Sequence, residues 1–315
     1  MDAAQHRLLR FGTRGSPLAL VQVRAVLAAV RAARPDLTFA EQVITTTGDR
    51  VQDRPLAELG GKGLFAKEIH EALADRRIDA AVHSLKDLET TLPPGIVLAA
   101  TLPREDARDA LILGPGCAAP DPADPLAALP RGSVIGTSSV RRQAQLLHAR
   151  PDLRVVLLRG NVQTRLARLR EGTVAATLLA LAGLRRLGLA DAAGAVLEPA
   201  VMLPAACQGI IGITARADDA PLLALLAGIA DPAAGVAATA ERALLGALDG
   251  SCRTPIGAHA VPATGGTLHL TGLVARADGS FLLRRSIQGA AEAAADLGTA
   301  LGAALRTASP SDVLG

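Results

Sequence analysis

The chain has 315 residues, half of them apolar, with four Phe and neither Trp nor Tyr, so its core must be aliphatic and large enough for two or three domains. A formal net charge of +3 argues against a nucleic-acid partner, and no uncharged run approaches membrane-spanning length. Three cysteines without a pairing pattern, and N-terminal residues 1–10 without an apolar signal-peptide region, predict a protein of the reducing cytoplasm.

A strand, a Gly-Thr turn and a helix are predicted twice along the chain. The first set is a strand at 8–11, the turn GTRGSP at 12–17 and a helix at 18–33; the second is a strand at 134–135, the turn GTSS at 136–139 and a helix at 140–149. Ser16 before Pro17 is a favourable N-cap followed by proline at the first helical position. Each turn should present free N–H groups and a positive helix end, which together predict an anion site.

A second repeated pattern supports an internal duplication. Glycine-rich segments at 61–63 and 160–162 open helices that run through residues 77 and 170, and strands follow at 78–84 and 174–179. This alternation predicts two related α/β domains with mostly parallel sheets. Glycine-rich turns from both domains should face a cleft between them.

The remaining segments predict a third, smaller domain. Residues 202–214 contain an apolar strand that we expect to return to the first domain. A helix at 233–248, strands at 267–276 and 280–288 joined by Asp278-Gly279, and a final helix at 290–306 suit an α+β fold. The predicted domains are 1–104 with 208–228, then 105–207, then 229–315, with a crossing at 103–109 and a surface loop at 115–130.

Arginines cluster at the predicted strand ends and helix starts, where they would suit a carboxylate or phosphate ligand. They are Arg14, Arg141, Arg142, Arg159 and Arg165. A single arginine on a helix is normally a solvated side chain, and that alternative stays open here.

Residues 83–87 (HSLKD) follow a strand end, where ligand sites of α/β proteins lie. Lys86 offers a point charge, and Asp87 a carboxylate that could stabilise a cation or shuttle a proton; a surface ion pair is the alternative. We interpret His83 as a satisfied near-core histidine. The six histidines lack metal-ligand spacing, so no metal site is predicted. The polar, glycine-rich segment 45–63 is a candidate lid.

Cys252 lies in the glycine-rich stretch 248–257 (LDGSCRTPIG), beside Arg253. A neighbouring cation favours the thiolate, so this cysteine is a candidate nucleophile or attachment point. Read alone, a single cysteine is more often a small buried hydrophobe. Neither Cys117 nor Cys207 lies at metal-ligand spacing from it.

Ordered motifs along nearly the whole chain give a specific resemblance. They are TRGSPLAL (13–20), GGKGLF (60–65), AVHSLKD (81–87), REDARD (104–109), GTSSVRRQ (136–143), LRGNVQTR (158–165), AGLRRLG (182–188), TAER (239–242) and CRTPIG (252–257). With these motifs the chain resembles the porphobilinogen deaminases, or hydroxymethylbilane synthases, of tetrapyrrole biosynthesis.

The resemblance implies two periplasmic-binding-protein-like α/β domains with a small C-terminal α+β domain. It implies a dipyrromethane cofactor bound through a thioether at Cys252. Four porphobilinogen molecules would be added head to tail, each losing ammonia, before water releases hydroxymethylbilane. A cytoplasmic monomer with no nucleic-acid or membrane partner is expected.

The resemblance also implies roles for individual residues, which carry over onto matching positions. Asp87, Lys86 and Arg14 would be catalytic. The cofactor-binding residues would be Cys252, Asp87, Lys86, Ser139, Arg141, Arg142, Ser16 and Gly209. The substrate-binding residues would be Arg14, Ser16, Arg159, Arg165, Arg186, Lys62 and Asn161.

The chain departs from the family pattern at several positions. Leu88-Glu89 replaces Val-Pro after Asp87, Cys207 and Ser251 replace glycines, and Ala175 replaces an aspartate. Two rival hypotheses are a non-catalytic anion-binding receptor of the periplasmic-binding fold and an enzyme acting on phosphorylated substrates. Both leave Cys252 without a role.

Overall fold

The computed structural model describes residues 8–50, 66–249 and 254–314. Their contacts divide the chain into two compact units, which we call unit 1 and unit 2. Unit 1 takes in the described residues before 106 together with 210–235, and unit 2 takes in the rest. The chain thus leaves unit 1 after residue 105 and returns to it at 210, and the predicted three-domain boundaries stay a prediction. The structure does not separate the predicted domains 105–207 and 229–315, because both lie in unit 2 apart from residue 105 and residues 229–235.

The elements follow in chain order. The strands are β1 (Leu8–Thr13), β2 (Thr38–Val43), β3 (Ala80–Ser84), β4 (Ile96–Thr101), β5 (Asp109–Leu113), β6 (Val134–Gly136), β7 (Arg154–Val156), β8 (Ala176–Ala180), β9 (Ala195–Leu197), β10 (Ile211–Arg216), β11 (Ile256–Ala263), β12 (Thr267–Ala275) and β13 (Leu282–Ala290). The helices are α1 (Pro17–Ala33), α2 (Thr47–Arg50), α3 (Lys67–Ala74), α4 (Val140–Ala149), α5 (Val162–Arg170), α6 (Leu181–Arg186), α7 (Ala220–Ala227), α8 (Pro232–Ala247) and α9 (Ala294–Ala308).

Two of the sheets have the same architecture. The sheet of unit 1 has the strand order β2-β1-β3-β10-β4, and a sheet of unit 2 has the order β7-β6-β8-β5-β9. In each, the first three strands are parallel and the last two pairings are antiparallel. The predicted duplication is therefore confirmed, but the sheets are mixed, since β10 and β5 run opposite to the strands beside them.

The C-terminal part of unit 2 has a separate sheet of order β11-β12-β13, antiparallel throughout and packed with α9. Its apolar cluster includes Leu244, Leu270, Leu301 and Leu305, all almost fully buried. The predicted hairpin at Asp278-Gly279 joins β12 to β13, and the α+β expectation for this region is confirmed. β11 was not predicted.

The helix starts follow from their caps. Ser16 and Ser139 cap α1 and α4, accepting hydrogen bonds from the backbone N–H groups three residues on, and the cap at Ser16 was predicted from the sequence. The helix predicted to run to residue 77 instead ends at Ala74, because Arg76 has a φ of 58°, which no right-handed helix can contain.

Unit 1 is held by an aliphatic core against its sheet. Val23, Val26 and Val30 of α1 are completely buried, and each such side chain contributes about 1.5–3 kcal/mol through burial. Within the described part of the chain, no single helix has both the length and the apolar character for a membrane crossing. The bent pair α7 and α8, at 110° to each other, meets those criteria only jointly.

Candidate functional site

A cavity in unit 1 lies where β1 and β3 end. Its empty volume is about 490 Å³, which includes space open to solvent. Six polar residues line it: Arg14, Ser16, Gln22, His83, Ser84 and Asp87. Three of these, Arg14, Ser16 and Asp87, are residues that the sequence predicted for a site, so the fold brings them to one place.

The turn between β1 and α1 sets the position of Arg14. The Ser16 hydroxyl accepts a hydrogen bond from the Ala19 N–H at 3.3 Å, and the Thr13 hydroxyl donates to the Ala19 carbonyl at 3.3 Å. These contacts fix the first turn of α1 against the end of β1. Arg14 is half-buried between the two, beside the positive end of the helix.

A single turn of 3₁₀ helix, Leu85–Asp87, follows β3 and presents the predicted Lys-Asp pair. Leu85 is buried, and its N–H donates to the Ile210 carbonyl at 3.0 Å, which anchors the turn to the sheet. Asp87 is exposed toward the cavity, whereas Lys86 is half-buried. An exposed carboxylate at a strand end can approach a bound ligand without a large desolvation penalty.

His83 has the structural role that the sequence interpretation preferred. Its side chain is buried and its Nε2 atom lies 2.9 Å from the Thr214 hydroxyl. The neighbouring Ser84 hydroxyl donates to Gln22 Oε1 at 3.0 Å. Gln22 was not predicted as a site residue, and its only sequence signal is a polar residue on the apolar face of α1.

In unit 2 the equivalent turn joins β6 to α4 and is linked to the start of α5. The Ser139 hydroxyl accepts from the Arg142 N–H at 3.4 Å, and Asn161 caps α5 by accepting from the Thr164 N–H at 2.9 Å. Arg165 spans both turns: its Nε donates to the Gly160 carbonyl at 2.9 Å and its Nη2 to the Ser138 hydroxyl at 3.3 Å.

Two more predicted arginines of unit 2, Arg159 and Arg186, lie in different surroundings. Arg186 donates from Nη2 to the carbonyl of Gly209 at 2.6 Å, so these two predicted site residues are in direct contact. Arg159 is half-buried just before the Gly160 turn. Their roles toward a ligand stay predictions.

Arg141 and Arg142 are buried and both contact the carboxylate of Asp109. Burial alone would raise the pKa of Asp109, but the charges of the two guanidinium groups hold it well below its usual range. Burial also lowers the pKa of Arg141, and the charge of Arg142 acts in the same direction while Asp109 opposes both. The sequence predicted the two arginines but not their buried partner.

Several predicted residues lie outside the described residues: Lys62, Ser251 and Cys252, with most of the candidate lid. Of the other cysteines, Cys117 donates to the Ala175 carbonyl at 3.4 Å. The described ranges contain no group of three or more His, Cys, Asp or Glu side chains placed to hold a metal ion.

Comparison with known proteins identifies the family. A model described as "Porphobilinogen deaminase, dipyromethane cofactor binding domain" matches residues 9–224, and "Porphobilinogen deaminase, C-terminal domain" matches residues 235–307. The chain belongs to the porphobilinogen deaminase family. It is 49% identical over 307 residues to the porphobilinogen deaminase of Paracoccus denitrificans (strain Pd 1222), covering 96% of this chain and 95% of that one.

Other porphobilinogen deaminases show similar levels of identity. The protein of Roseiflexus castenholzii (strain DSM 13941 / HLO8) is 50% identical over 293 residues, covering 93% of this chain and 94% of that one. The chloroplastic protein of Oryza sativa subsp. japonica is 49% identical over 292 residues, covering 91% of this chain and 79% of that one. The match therefore extends over both units.

Two departures from the porphobilinogen deaminase pattern can be placed in the structure. Leu88 is buried and its N–H donates to the Leu85 carbonyl at 3.2 Å, so its backbone closes the turn that presents Asp87. Cys207 has a φ of 61°, a left-handed conformation that glycine adopts without strain. Its N–H donates to the buried carboxylate of Glu241, which holds the strained residue in place.

Proposed function

We propose that this chain is a porphobilinogen deaminase that joins four porphobilinogen molecules head to tail, with loss of ammonia, and releases hydroxymethylbilane. One observation carries the proposal: in a chain matched by the family along its length, Arg14, Ser16 and Asp87 line a single cavity at the strand ends of unit 1. A binding protein for anions would need the arginine but not the exposed carboxylate.

The residues of unit 1 would act on the reacting end of the substrate. The Asp87 carboxylate stabilises the positive charge that develops on a pyrrole nitrogen and holds a proton during transfer. Arg14 and Ser16, at the start of α1, bind the acetate or propionate group of porphobilinogen, and Lys86 adds a second positive charge beside Asp87.

The residues of unit 2 fit a group that carries several carboxylates. Arg141 and Arg142 bring two positive charges to one carboxylate, and the buried Nε of Arg141 has no hydrogen-bond partner among the described residues. A dipyrromethane bound at Cys252 would supply the pyrrole carbon onto which the first substrate is added. Arg141, Arg142, Ser139 and Gly209 would hold its side chains. Lys86 and Asp87 would contact its pyrrole rings.

The substrate carboxylates would be held by arginines around the α5 turn. Arg159, Arg165, Arg186 and Asn161 belong to this set, and Lys62 would join them from the candidate lid. Planar guanidinium groups bind carboxylates through paired hydrogen bonds, so each added substrate can be held in the same way. We also propose that the enzyme is a cytoplasmic monomer without nucleic-acid or membrane partners, as the sequence predicted.

The attachment of the cofactor tests the proposed function. Protein purified from cells that make porphobilinogen should carry an added mass, and peptide mapping should place it on the Cys252 peptide. Cys252→Ser should fold but lack both the added mass and turnover, because a hydroxyl is a far poorer nucleophile than a thiolate. Cys117→Ser is the matched control and should retain both.

Absorption gives an independent measurement of the same prediction. With no Trp and no Tyr, the polypeptide absorbs little in the near ultraviolet, so a band at longer wavelength should come from bound pyrroles once oxidation has conjugated their rings. The band should be absent from Cys252→Ser, and an acidic aldehyde reagent for pyrroles should stain only the denatured wild type. A wild type with the bare mass and no band would instead favour the anion-binding receptor.

A further inference from the structure

A buried ionic cluster in unit 2 lies where the start of β5 meets the first turn of α4. The Asp109 side chain has no exposed surface. Its Oδ2 atom accepts from Arg141 Nη2 at 2.8 Å, and its Oδ1 atom accepts from Arg142 Nη2 at 2.7 Å and Nε at 3.2 Å. One carboxylate therefore orients both of the guanidinium groups that the family resemblance assigns to the cofactor.

Backbone carbonyls fix the other edge of each guanidinium. Arg141 Nη1 donates to the Leu203 carbonyl at 2.5 Å, and Arg142 Nη1 donates to the Leu178 carbonyl at 2.8 Å. A planar group held on two sides loses rotational freedom before any ligand arrives. The remaining N–H donors of each arginine point in directions set by Asp109.

Gln208 in turn fixes the carboxylate. Its side chain is completely buried, and its Nε2 donates to Asp109 Oδ1 at 2.8 Å and to the Ala107 carbonyl at 2.7 Å. Asp109 thus accepts a neutral hydrogen bond as well as the charged ones. Gln208 therefore fixes the orientation of the Asp109 carboxylate, and Asp109 in turn fixes the orientation of the two arginines.

The charges of the cluster do not balance. Two buried guanidinium groups face one carboxylate, which leaves one positive charge uncompensated within it, at the positive end of α4. A buried unpaired charge is costly unless an opposite charge approaches it. The Nε of Arg141 adds a buried donor without a hydrogen-bond partner in the described residues. Both observations point to an anionic group that completes the cluster.

We infer that Asp109 is a positioning residue: it orients Arg141 and Arg142, while neutralising only one of them, so that they hold a carboxylate of the bound pyrrole group. The inference rests on the proposed function, since that supplies the ligand. A purely structural ion cluster is the competing interpretation, and it predicts that Asp109 affects stability alone.

The test replaces the charge and keeps the shape. Asp109→Asn, expressed in cells that make porphobilinogen, should yield folded protein in which the fraction carrying the added mass falls about tenfold, the scale for losing a charge-assisted contact. Asp106→Asn is the matched control, because Asp106 lies in the same segment and pairs with Arg108 at 2.7 Å. It should load as wild type does, and Asp109→Glu should restore part of the loading.

Stability measured on the same proteins separates the two interpretations. A lower unfolding midpoint for Asp109→Asn with wild-type loading of the folded fraction would overturn the inference. If Asp109→Asn does not fold, Gln208→Met decides: it keeps every charge and loosens the carboxylate, so loading should fall about threefold or more, and unchanged loading would overturn the inference. A wild type that never loads would reject the proposed function itself, which is a different result.

Discussion

The two related α/β sheets carry their carboxylates at different positions of the same framework. Gly12 pairs with Ala81 between β1 and β3, and Gly136 pairs with Thr177 between β6 and β8. Asp87 lies six residues after Ala81, and Gly183 lies six residues after Thr177, so Asp87 of unit 1 corresponds to Gly183 of unit 2. The exposed carboxylate of the proposed reaction therefore has no counterpart in the second sheet.

The buried carboxylate shows the reverse pattern. Asp109 pairs with Ala180 in unit 2, and the equivalent pair in unit 1 is Ile211 with Ser84. Asp109 thus occupies the place of a buried isoleucine.

Aligning the two helices by their N-caps shows which residues of unit 1 correspond to the two buried arginines of unit 2. Residues two and three positions after the caps Ser16 and Ser139 are Leu18 and Ala19 in unit 1 but Arg141 and Arg142 in unit 2. In unit 1 the apolar turn lines a cavity beside an exposed acid, whereas in unit 2 the same turn carries two buried arginines that face one carboxylate. One framework can therefore supply a reacting site in one unit and a holding site in the other.

The largest effect expected from the different roles of the two units is a loss of turnover when Asp87 is replaced. Asp87→Asn should lower kcat by about 10²–10³-fold, because it removes a charge placed where positive charge develops. The free energy of unfolding should change by no more than about 0.5 kcal/mol, since the side chain is exposed. Steady-state kinetics and urea unfolding measure the two quantities. Asp75→Asn, another exposed aspartate of unit 1, should leave kcat unchanged; a near-wild-type kcat in Asp87→Asn would refute the division of roles.

The two turn glycines should respond unequally to an added methyl group. A Cβ at Gly136 would lie 2.9 Å from Leu158 Cβ, an atom that cannot move without the backbone. A Cβ at Gly12 would meet mainly Ile78 Cδ1, at 2.4 Å, and that atom is the end of a rotatable side chain. Gly136→Ala should therefore destabilise the protein by about 1–3 kcal/mol, and Gly12→Ala by less. Urea unfolding of both variants measures this, and equal costs would show that the turns are packed alike.

Much of this framework could be predicted from the sequence. The Ser-Pro cap and the repeated Gly-Thr turn predicted the starts of α1 and α4 to within one residue, and the repeated turn and helix patterns predicted the duplication. The antiparallel entry of β10 between β3 and β4 could not be predicted, since it depends on pairing between segments more than 100 residues apart in the chain. Local periodicity carries no information about such a partner.

The candidate site was predictable in the same partial way. Arginines at helix starts indicate an anion, and that signal drew attention to Arg141 and Arg142, whose role toward a ligand stays a prediction. Their partner Asp109 lies 32 residues earlier than Arg141, at the start of a buried strand, and nothing local distinguishes it from Asp106, whose side chain keeps 14% of its surface exposed. Burial, which only the fold determines, is what makes one of these carboxylates an organising group.

A buried histidine is a further difference between the units. In unit 1 the helix α3 ends at Ala74, six residues before β3 begins at Ala80. In unit 2 the helix α5 ends at Arg170, six residues before β8 begins at Ala176. Counting back ten residues from each strand start aligns His70 with Leu166, and both side chains are buried. Unit 1 thus contains an ionisable group where unit 2 has an aliphatic one.

His70 should make the stability of unit 1 depend on pH, with the smallest effect of the three. Burial lowers the pKa of His70 below its usual 6.5, although the charge of Glu89 acts to raise it, and the His83 ring lies 6.0 Å away. As the pH falls below 6.5, the unfolded chain takes up the proton first, so the free energy of unfolding should decrease until the folded pKa is reached. His70→Leu, which copies the aliphatic residue of unit 2, should remove this part of the decrease, whereas His269→Gln at an exposed position should not. Urea unfolding on both sides of pH 6.5 measures the difference. Parallel pH profiles for wild type and His70→Leu would show that His70 does not contribute to the pH dependence of stability.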